Sequence, residues 1–349
     1  MSPKYLTKNF LILLCAGFLS TAAHGQMKAK LHQTFKVEGI IWGFDFVDQE
    51  RVVYTIKEKG LFLYEFKNKK HSPLATLPDV HIAGQGGYLD IKLHPEFAKN
   101  KKVVFSYSKK TKKGATTAVA VGLLENSKIS DIKEIFVADA ETDEDIHFGG
   151  RILFENNDAF FVSIGDRNAR DESQNLKKHN GKIMRVQMDG TFKMWSYGHR
   201  NPQGLSFFEN QLWSTEFGPR GGDELNKIVE NGNYGWPKVT KGREYWGPKI
   251  GTTSMKGMID PVISWVPSIS PSGLHCYQGE EKFFQGKCLL ANLSGEHIRV
   301  VDPKNIDSQQ ELLKELNLRF RQIGQDTNKT IYVSTDEGIF GYLQVTPIK

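Results

Sequence analysis

Trp42-Gly43-Phe44-Asp45-Phe46 turns through Asp48-Gln49-Glu50 and returns as Val52-Val53-Tyr54-Thr55. Apolar and polar side chains alternate on the way out, acids and an amide make the corner, and a β-branched and aromatic run comes back. This is the pattern of an antiparallel hairpin. It recurs as Gly87-Tyr88-Leu89-Asp90-Ile91 with Val103-Val104-Phe105-Ser106, and as Gly150-Arg151-Ile152-Leu153-Phe154 with Phe160-Phe161-Val162-Ser163. A fourth copy is Gly204-Leu205-Ser206-Phe207 with Gln211-Leu212-Trp213-Ser214. The fifth is Gly273-Leu274-His275-Cys276-Tyr277 with Cys288-Leu289-Leu290-Ala291, and the sixth is Phe320-Arg321-Gln322-Ile323 with Thr330-Ile331-Tyr332-Val333-Ser334. Six hairpins with matched openings, from the mid-forties to about seventy residues apart, suit four-stranded blades joined by loops of unequal length. The expected fold is therefore an all-β, six-bladed β-propeller of antiparallel sheets, its ring closed by a strand from one chain end. A two-sheet sandwich or two small β domains is the alternative. Helical periodicity is confined to residues 308–316, which are expected to form a short helix.

In a propeller every blade repeats one path, so residues just before each first strand collect at one mouth of the central channel. Those positions hold Gln85, His147, Arg200 with Asn201, Ser270 with Ser272, and Arg319 with Arg321. Arg319-Phe320-Arg321 alternates, which puts both guanidiniums on one strand face. Two aligned forks suit a ligand with several carboxylates; a structural pair bonded to acidic neighbours is the other reading. With Arg200 they make three cations that have no evident acidic partner in the sequence, and an anionic ligand would relieve their repulsion. His147 opens the hairpin whose return strand ends at Gly165-Asp166-Arg167. An imidazole held through one nitrogen by a carboxylate is oriented and made more basic, as a general base requires.

Residues 197–237 mix Arg200, Asn201, Glu216, Arg220, Asp223 and Glu224 among glycines and prolines that set sharp turns. Around Gly218-Pro219 successive carbonyl oxygens can point one way, and hard cations such as calcium take carbonyls together with carboxylates. Acids capping a turn without metal are the plainer reading, and the spacing is not that of an EF-hand.

The 349 residues are 39% hydrophobic, enough to bury a sizeable core, and carry a formal charge of +6. The densest basic run, Lys109-Lys110-Thr111-Lys112-Lys113-Gly114, lies between strand-like segments without interleaved aromatics and reads as a solvated hairpin tip, not a nucleic-acid arm. At the N-terminus Lys4 and Lys8 precede an apolar run over residues 10–18 and then Ala23-His24-Gly25. That is the layout of a cleaved secretory signal over residues 1–25, with a mature domain over 26–349 in the periplasm or secreted. The apolar run is short for a bilayer, and Leu14 before Cys15 does not suit lipid attachment, so no stable membrane anchor is expected. Cleavage leaves Cys276 and Cys288, which a hairpin can bring together as a disulfide or leave as two free thiols. No CxxC or HExxH supports zinc, and Gly84-Gln85-Gly86-Gly87 lacks the spacing and βαβ setting of a nicotinamide site.

Several of these segments together resemble one family. Gly84-Gln85-Gly86-Gly87, His94-Pro95-Glu96-Phe97, His147-Phe148-Gly149-Gly150-Arg151, Gly165-Asp166-Arg167, Gly181-Lys182-Ile183, His199-Arg200-Asn201-Pro202-Gln203-Gly204, Gly218-Pro219-Arg220-Gly221-Gly222-Asp223-Glu224-Leu225-Asn226 and Asn233-Tyr234-Gly235-Trp236-Pro237 are similar to motifs of the soluble aldose sugar dehydrogenases. These make up the glucose/sorbosone dehydrogenase family, which uses pyrroloquinoline quinone (PQQ). The resemblance implies a six-bladed propeller in which Gln85, Arg200, Asn201, Arg319 and Arg321 hold PQQ. It further implies that the main-chain oxygens of Gly218 and Pro219 bind calcium beneath the cofactor, and that Glu224 and the main chain at Tyr234 form a second calcium site. His147, assisted by Asp166, would take the proton from the anomeric hydroxyl of an aldose while a hydride leaves C1 for the quinone, polarised by calcium and Arg200. A lactone and reoxidation by an external electron acceptor follow. Two departures stand out: Ser294 occupies the place of a lysine that several relatives carry, and Trp265 is the nearest candidate for an aromatic cover over the quinone.

Overall fold

The computed structural model describes residues 27–347. The expected signal and its cleavage point lie outside the described residues. Six antiparallel sheets occupy residues 41–75, 88–137, 152–197, 202–265, 271–312 and 320–347, here blades 1 to 6. In every blade the two innermost strands are the hairpin legible in the sequence. The innermost strands pack in succession around the ring, and the last, Phe320–Gln325, meets the first, Ile41–Phe46. Blade 6 is completed by the N-terminal strand Met27–Lys36, which pairs with Ile339–Pro347 from Met27 opposite Pro347 to Lys36 opposite Ile339. One chain end thus supplies the closing strand, as expected.

Position in the blade explains composition. Ala159–Ile164 is buried along its whole length because a second strand is covered on both faces, so it reads as a continuous apolar run. Phe192–Tyr197, the fourth strand of the same blade, begins with exposed Phe192 and Lys193 and buries only Ser196, and its end pairs in parallel with the two-residue strand Gly232–Asn233. The core is divided into clusters between neighbouring blades; Val53, Leu61, Tyr88, Ile91, Val103 and Phe105 fill the space between blades 1 and 2. Near the ring axis Arg151 is fully buried. It lies 3.2 Å from Asp90 of blade 2, donates from Nε to the Gln203 carbonyl of blade 4 at 2.8 Å, and stacks 4.1 Å from the Trp42 ring of blade 1. One guanidinium therefore ties four blades together, a contribution its place in a glycine-rich motif did not announce.

Two outcomes concern local structure. Residues 308–316 are not a helix: Asn305–Leu312 is the outer strand of blade 5, followed by a single 3-10 turn over Lys314–Leu316. Pairing with Ile298–Asp302 overrides the weak helical spacing, as tertiary context commonly does. Cys276 and Cys288 stand directly opposite each other in blade 5 and are bonded as a disulfide. The basic run forms the tip of the hairpin between Lys102–Thr111 and Gly114–Glu125, with Lys109 paired to Glu134 at 2.6 Å. Among the described residues no helix is long and apolar enough to cross a membrane.

Candidate active site

At one mouth of the channel lies a cavity of about 1080 Å3 whose lining includes Gln85, His147, Arg200, Gly218, Pro219, Ser270, Arg319 and Arg321. Residues from five blades thus meet as the repeat implied. His147 precedes the first strand of blade 3 with φ at +57°, a left-handed conformation that costs a non-glycine residue of order 1 kcal/mol. Three contacts hold it. Its N–H donates to Gln85 Oε1 at 2.8 Å, the Arg167 guanidinium donates to the carbonyls of Glu144 and Ile146 on the same loop, and that guanidinium lies 3.5 Å over the Phe148 ring. Gly165 is required beneath it, since a Cβ there would sit 2.0 Å from the His147 carbonyl oxygen.

His147 Nδ1 is 2.6 Å from Asp166 Oδ1. The other oxygen of Asp166 accepts from Trp236 Nε1 at 2.7 Å, and Oδ1 also accepts from the Asn168 N–H at 2.9 Å. Asp166 is fully buried behind the histidine. Burial works to raise its carboxyl, but the hydrogen bond and charge of His147, with Arg200 beyond, hold it below the ordinary value, so it remains an acceptor. The tautomer this fixes is Nδ1–H, leaving Nε2 with its lone pair toward the cavity. Burial, and then the charge of Arg200, push the imidazole below its ordinary pKa of 6.5 against the pull of Asp166. The ring is therefore neutral and able to accept a proton.

Arg200 is fixed by its own chain. Its N–H donates to Glu216 Oε2 at 2.8 Å, and its Nη1 donates to the carbonyls of Phe217 at 3.1 Å and Gly218 at 2.8 Å. Arg319 and Arg321 do share a face, but the sequence reading that they lack an acidic partner is corrected: Asp336 receives Arg319 Nε at 3.0 Å and Arg321 Nε and Nη2 at 2.8 and 2.9 Å. Burial tends to raise Asp336, and Arg321 with Arg319 more than offsets it. Asp336 sits fifteen residues past Arg321 at the end of the next strand, a distance only the hairpin closes. Even so, six cationic residues (Lys57, Arg200, Arg220, Arg243, Arg319 and Arg321) line the cavity against one carboxylate residue. A polyanionic ligand fits such a lining.

Asn201 and Ser272 lie behind the wall, not on it. Asn201 Oδ1 accepts from the Gly149 N–H at 3.2 Å while its Nδ2 is buried without a partner. Trp265 is not a cover either; it packs in blade 4 and donates to Gln309 at 3.1 Å, and Val266 is the residue that reaches the cavity. Aromatic lining comes instead from Trp42, Phe148, Phe217 and Tyr245. Ser294 also lines the cavity and bonds Ser270 at 2.8 Å.

Gly218 and Pro219 line the cavity, and a small void beside them is bordered by Glu216, Gly218, Glu224 and Tyr234. Burial, and then the neighbouring Glu216, drive the Glu224 carboxyl well above its usual range. A divalent cation would relieve that pairing. No cluster of three or more His, Cys, Asp or Glu stands at metal-binding geometry among the described residues, so main-chain carbonyls would have to complete any site.

The sequence reading missed Trp236 and Asp336. Trp236 lay within a quoted motif, and a buried indole N–H usually finds an acceptor, which was the available signal. Nothing local marked Asp336.

The glucose/sorbosone dehydrogenase family model matches residues 39–341. The chain is 33% identical over 333 residues to the aldose sugar dehydrogenase YliI of Escherichia coli, covering 88% of this chain and 90% of that protein. The solved apo form of the soluble aldose sugar dehydrogenase of Escherichia coli superposes with a TM-score of 0.84 at 31% identity, over 92% of this chain and 100% of that one. The PQQ-bound aldose sugar dehydrogenase of Streptomyces coelicolor gives a TM-score of 0.79 at 23% identity, over 92% and 99%, which speaks for the fold. A propeller of six blades, a channel mouth where histidine, carboxylate and arginines meet, and a match over nearly the whole described chain lead to one assignment: this protein belongs to the glucose/sorbosone dehydrogenase family.

Proposed function

We propose that this protein is a PQQ- and calcium-dependent aldose dehydrogenase that oxidises the sugar at C1 to a lactone and passes the electrons to an external acceptor. The observation that carries the reading is the buried Trp236–Asp166–His147 chain, which ends on an unpartnered Nε2 in a cavity lined by six cations. A tricarboxylate such as PQQ matches that charge, with Arg319, Arg321 and Arg200 to hold it and Gln85 beside the base. When bound, PQQ would supply the two-electron acceptor for the C1 hydride, and the main-chain oxygens of Gly218 and Pro219 would hold a calcium ion that supplies Lewis-acid polarisation.

The chain's own residues do the rest. His147 Nε2 accepts the proton of the anomeric hydroxyl, and positive charge develops on the ring. Asp166 Oδ1, already accepting Nδ1–H, stabilises that imidazolium, while Trp236 keeps the carboxylate from rotating away. Arg200, clamped on the carbonyls of Phe217 and Gly218, holds a fixed positive charge near the base. A propeller that only binds sugar would not need the histidine tautomer set in this way. We also place the mature chain in the periplasm or outside the cell. The N-terminal segment supports that reading, as does the disulfide, which forms in oxidising compartments.

The test is purified protein, with and without PQQ and calcium, assayed against a panel of aldoses with a dye acceptor and with lactone measured directly. Dye reduction that requires PQQ and yields lactone is expected. No turnover of any aldose by the reconstituted protein overturns the reading.

A further inference from the structure

Arg220, and Arg243 with Lys249 in the segment after Trp236, carry charges to which no individual role has been given in the proposed chemistry. The Arg220 N–H donates to the Arg243 carbonyl at 3.1 Å and the Arg243 N–H returns to the Arg220 carbonyl at 3.1 Å, so the two face each other as a directly bonded antiparallel pair. Arg243 also pairs antiparallel with Lys249 across a tight turn, closed by the Glu244 N–H on the Pro248 carbonyl at 2.8 Å and the Gly247 N–H on the Glu244 carbonyl at 3.0 Å. Cross-strand partners project to one face, so Arg220, Arg243 and Lys249 form a row of three cations. Like charges set opposite each other destabilise a sheet.

The available acids are committed elsewhere. Glu244, beside Arg243, is held by both terminal nitrogens of Arg170 at 2.5 and 3.1 Å. Asp223 is buried and accepts from Ser268 and from the N–H groups of Gly218, Ile269 and Ser270. None of the three cations makes a side-chain ion pair or hydrogen bond among the described residues, although the row is held firmly in place. Gly222, with φ at +73°, lies so near the second strand that a Cβ would sit 2.4 Å from the Gly242 nitrogen. Arg220 and Arg243 line the same cavity as His147, and so does Tyr245, which is 65% exposed. The space, about 1080 Å3, is large enough for a sugar beside a ring cofactor.

We propose that Arg220 and Arg243, extended by Lys249, form an outer anion subsite that takes a carboxylate or phosphate carried by the aldose away from C1, with the Tyr245 ring against the sugar's C–H face. Two adjacent forks give such an oxyanion four parallel donors, and ligand charge removes the repulsion along the row. The subsite is separate from Arg319 and Arg321, whose charge Asp336 already shares. The inference rests on the reading of the cavity as an aldose site.

Its test has a binding arm and a kinetic arm. Calorimetry on the cofactor-free protein uses glucose 6-phosphate and glucuronate, and steady-state kinetics on the reconstituted protein use the same two sugars and glucose. In Arg220→Gln/Arg243→Gln both the affinity for the acidic sugars and the ratio of their kcat/KM to that of glucose are expected to fall at least about tenfold, the effect of losing charge-assisted hydrogen bonds. Lys249→Gln, on the exposed end of the row, is expected to give a loss of about twofold to threefold in the same direction. Whichever sugar responds more identifies phosphate or carboxylate as the preferred group. An unchanged ratio, no calorimetric binding of either acidic sugar to the wild type, or a loss confined to turnover with an acidic protein as electron acceptor would each overturn the subsite. Arginine-dependent binding of acidic sugars without oxidation of any aldose sinks the catalytic reading and leaves the subsite standing.

Discussion

Asp166 grips His147 through Nδ1 at 2.6 Å and leaves the opposite ring nitrogen facing the channel mouth. The two residues lie nineteen positions apart at opposite ends of one hairpin, and the pairing orients a strained loop histidine, as the proposed base requires. His147→Ala is expected to abolish sugar oxidation while PQQ still binds. Asp166→Asn, which presents the wrong hydrogen-bond polarity, is expected to lower kcat by about 10^2 to 10^4 with little change in PQQ affinity. Rates within threefold of wild type in either variant would remove the pair from the chemistry.

The pH dependence follows from the direction of the His147 shift. Burial first, then Arg200, lower its folded pKa below 6.5, so Nε2 stays unprotonated in slightly acidic solution. The acidic limb of kcat/KM should therefore fall below pH 6.5, as a pH–rate profile would show. Stability has the same sign: the unfolded chain takes up the proton first, so this contribution is complete above about pH 6.5 and is lost as pH falls. An acidic limb above 7 would contradict it.

Trp236 tests positioning apart from proton transfer. Trp236→Phe keeps the ring but removes the donor to Asp166 Oδ2. A fall in kcat of about tenfold, with KM for the sugar nearly unchanged and the acidic limb displaced, is expected from one lost hydrogen bond to a charged group. A change in KM alone would assign Trp236 to sugar binding.

The arginine pair is unequal. The Arg321 side chain is 11% exposed and meets Asp336 through two nitrogens, whereas Arg319 is 45% exposed and meets it through one. Arg321→Ala should weaken PQQ binding by about tenfold to a hundredfold, and Arg319→Ala by less, because solvent screens the exposed charge. Fluorescence titration with the cofactor distinguishes the two, and equal, negligible losses would return both arginines to a structural role.

Glu224 offers a metal test that needs no turnover. Burial, and then Glu216, raise its carboxyl well above the usual range, so the neutral Glu224→Gln should fold normally without metal. Calcium at a hundred times its Kd should stabilise the wild type by about 2.7 kcal/mol and raise its melting temperature, while the variant should respond far less. Identical calcium responses in the two proteins would exclude Glu224 as a ligand.

Much of this architecture was legible because a propeller writes its period into the chain. All six inner hairpins, the use of a chain end for closure and the convergence of His147, Arg200, Arg319 and Arg321 followed from repeated apolar strands and the polar residues just before them. The helix expected over residues 308–316 failed because that segment is an outer strand whose exposed side chains carry little periodic signal and whose ladder with Ile298–Asp302 sets its conformation. Trp265 looked like a cavity residue by proximity, but strand alternation turned it into the blade and gave the lining to Val266.

The amino-acid sequence by itself determined the number of blades, the mouth at which the candidate site lies and the presence there of His147 with its arginines, because hydrophobic period and turn residues are local properties of the chain. Only the tertiary structure decided that Asp336 shares the arginine pair, that Trp236 backs Asp166 and that Arg220, Arg243 and Lys249 stand in a row. Those relations join residues fifteen to seventy positions apart in the first two cases and depend in the third on loop strands too short to register as a pattern. Side-chain electrostatics is settled by distance in space, which the order of residues along the backbone does not contain.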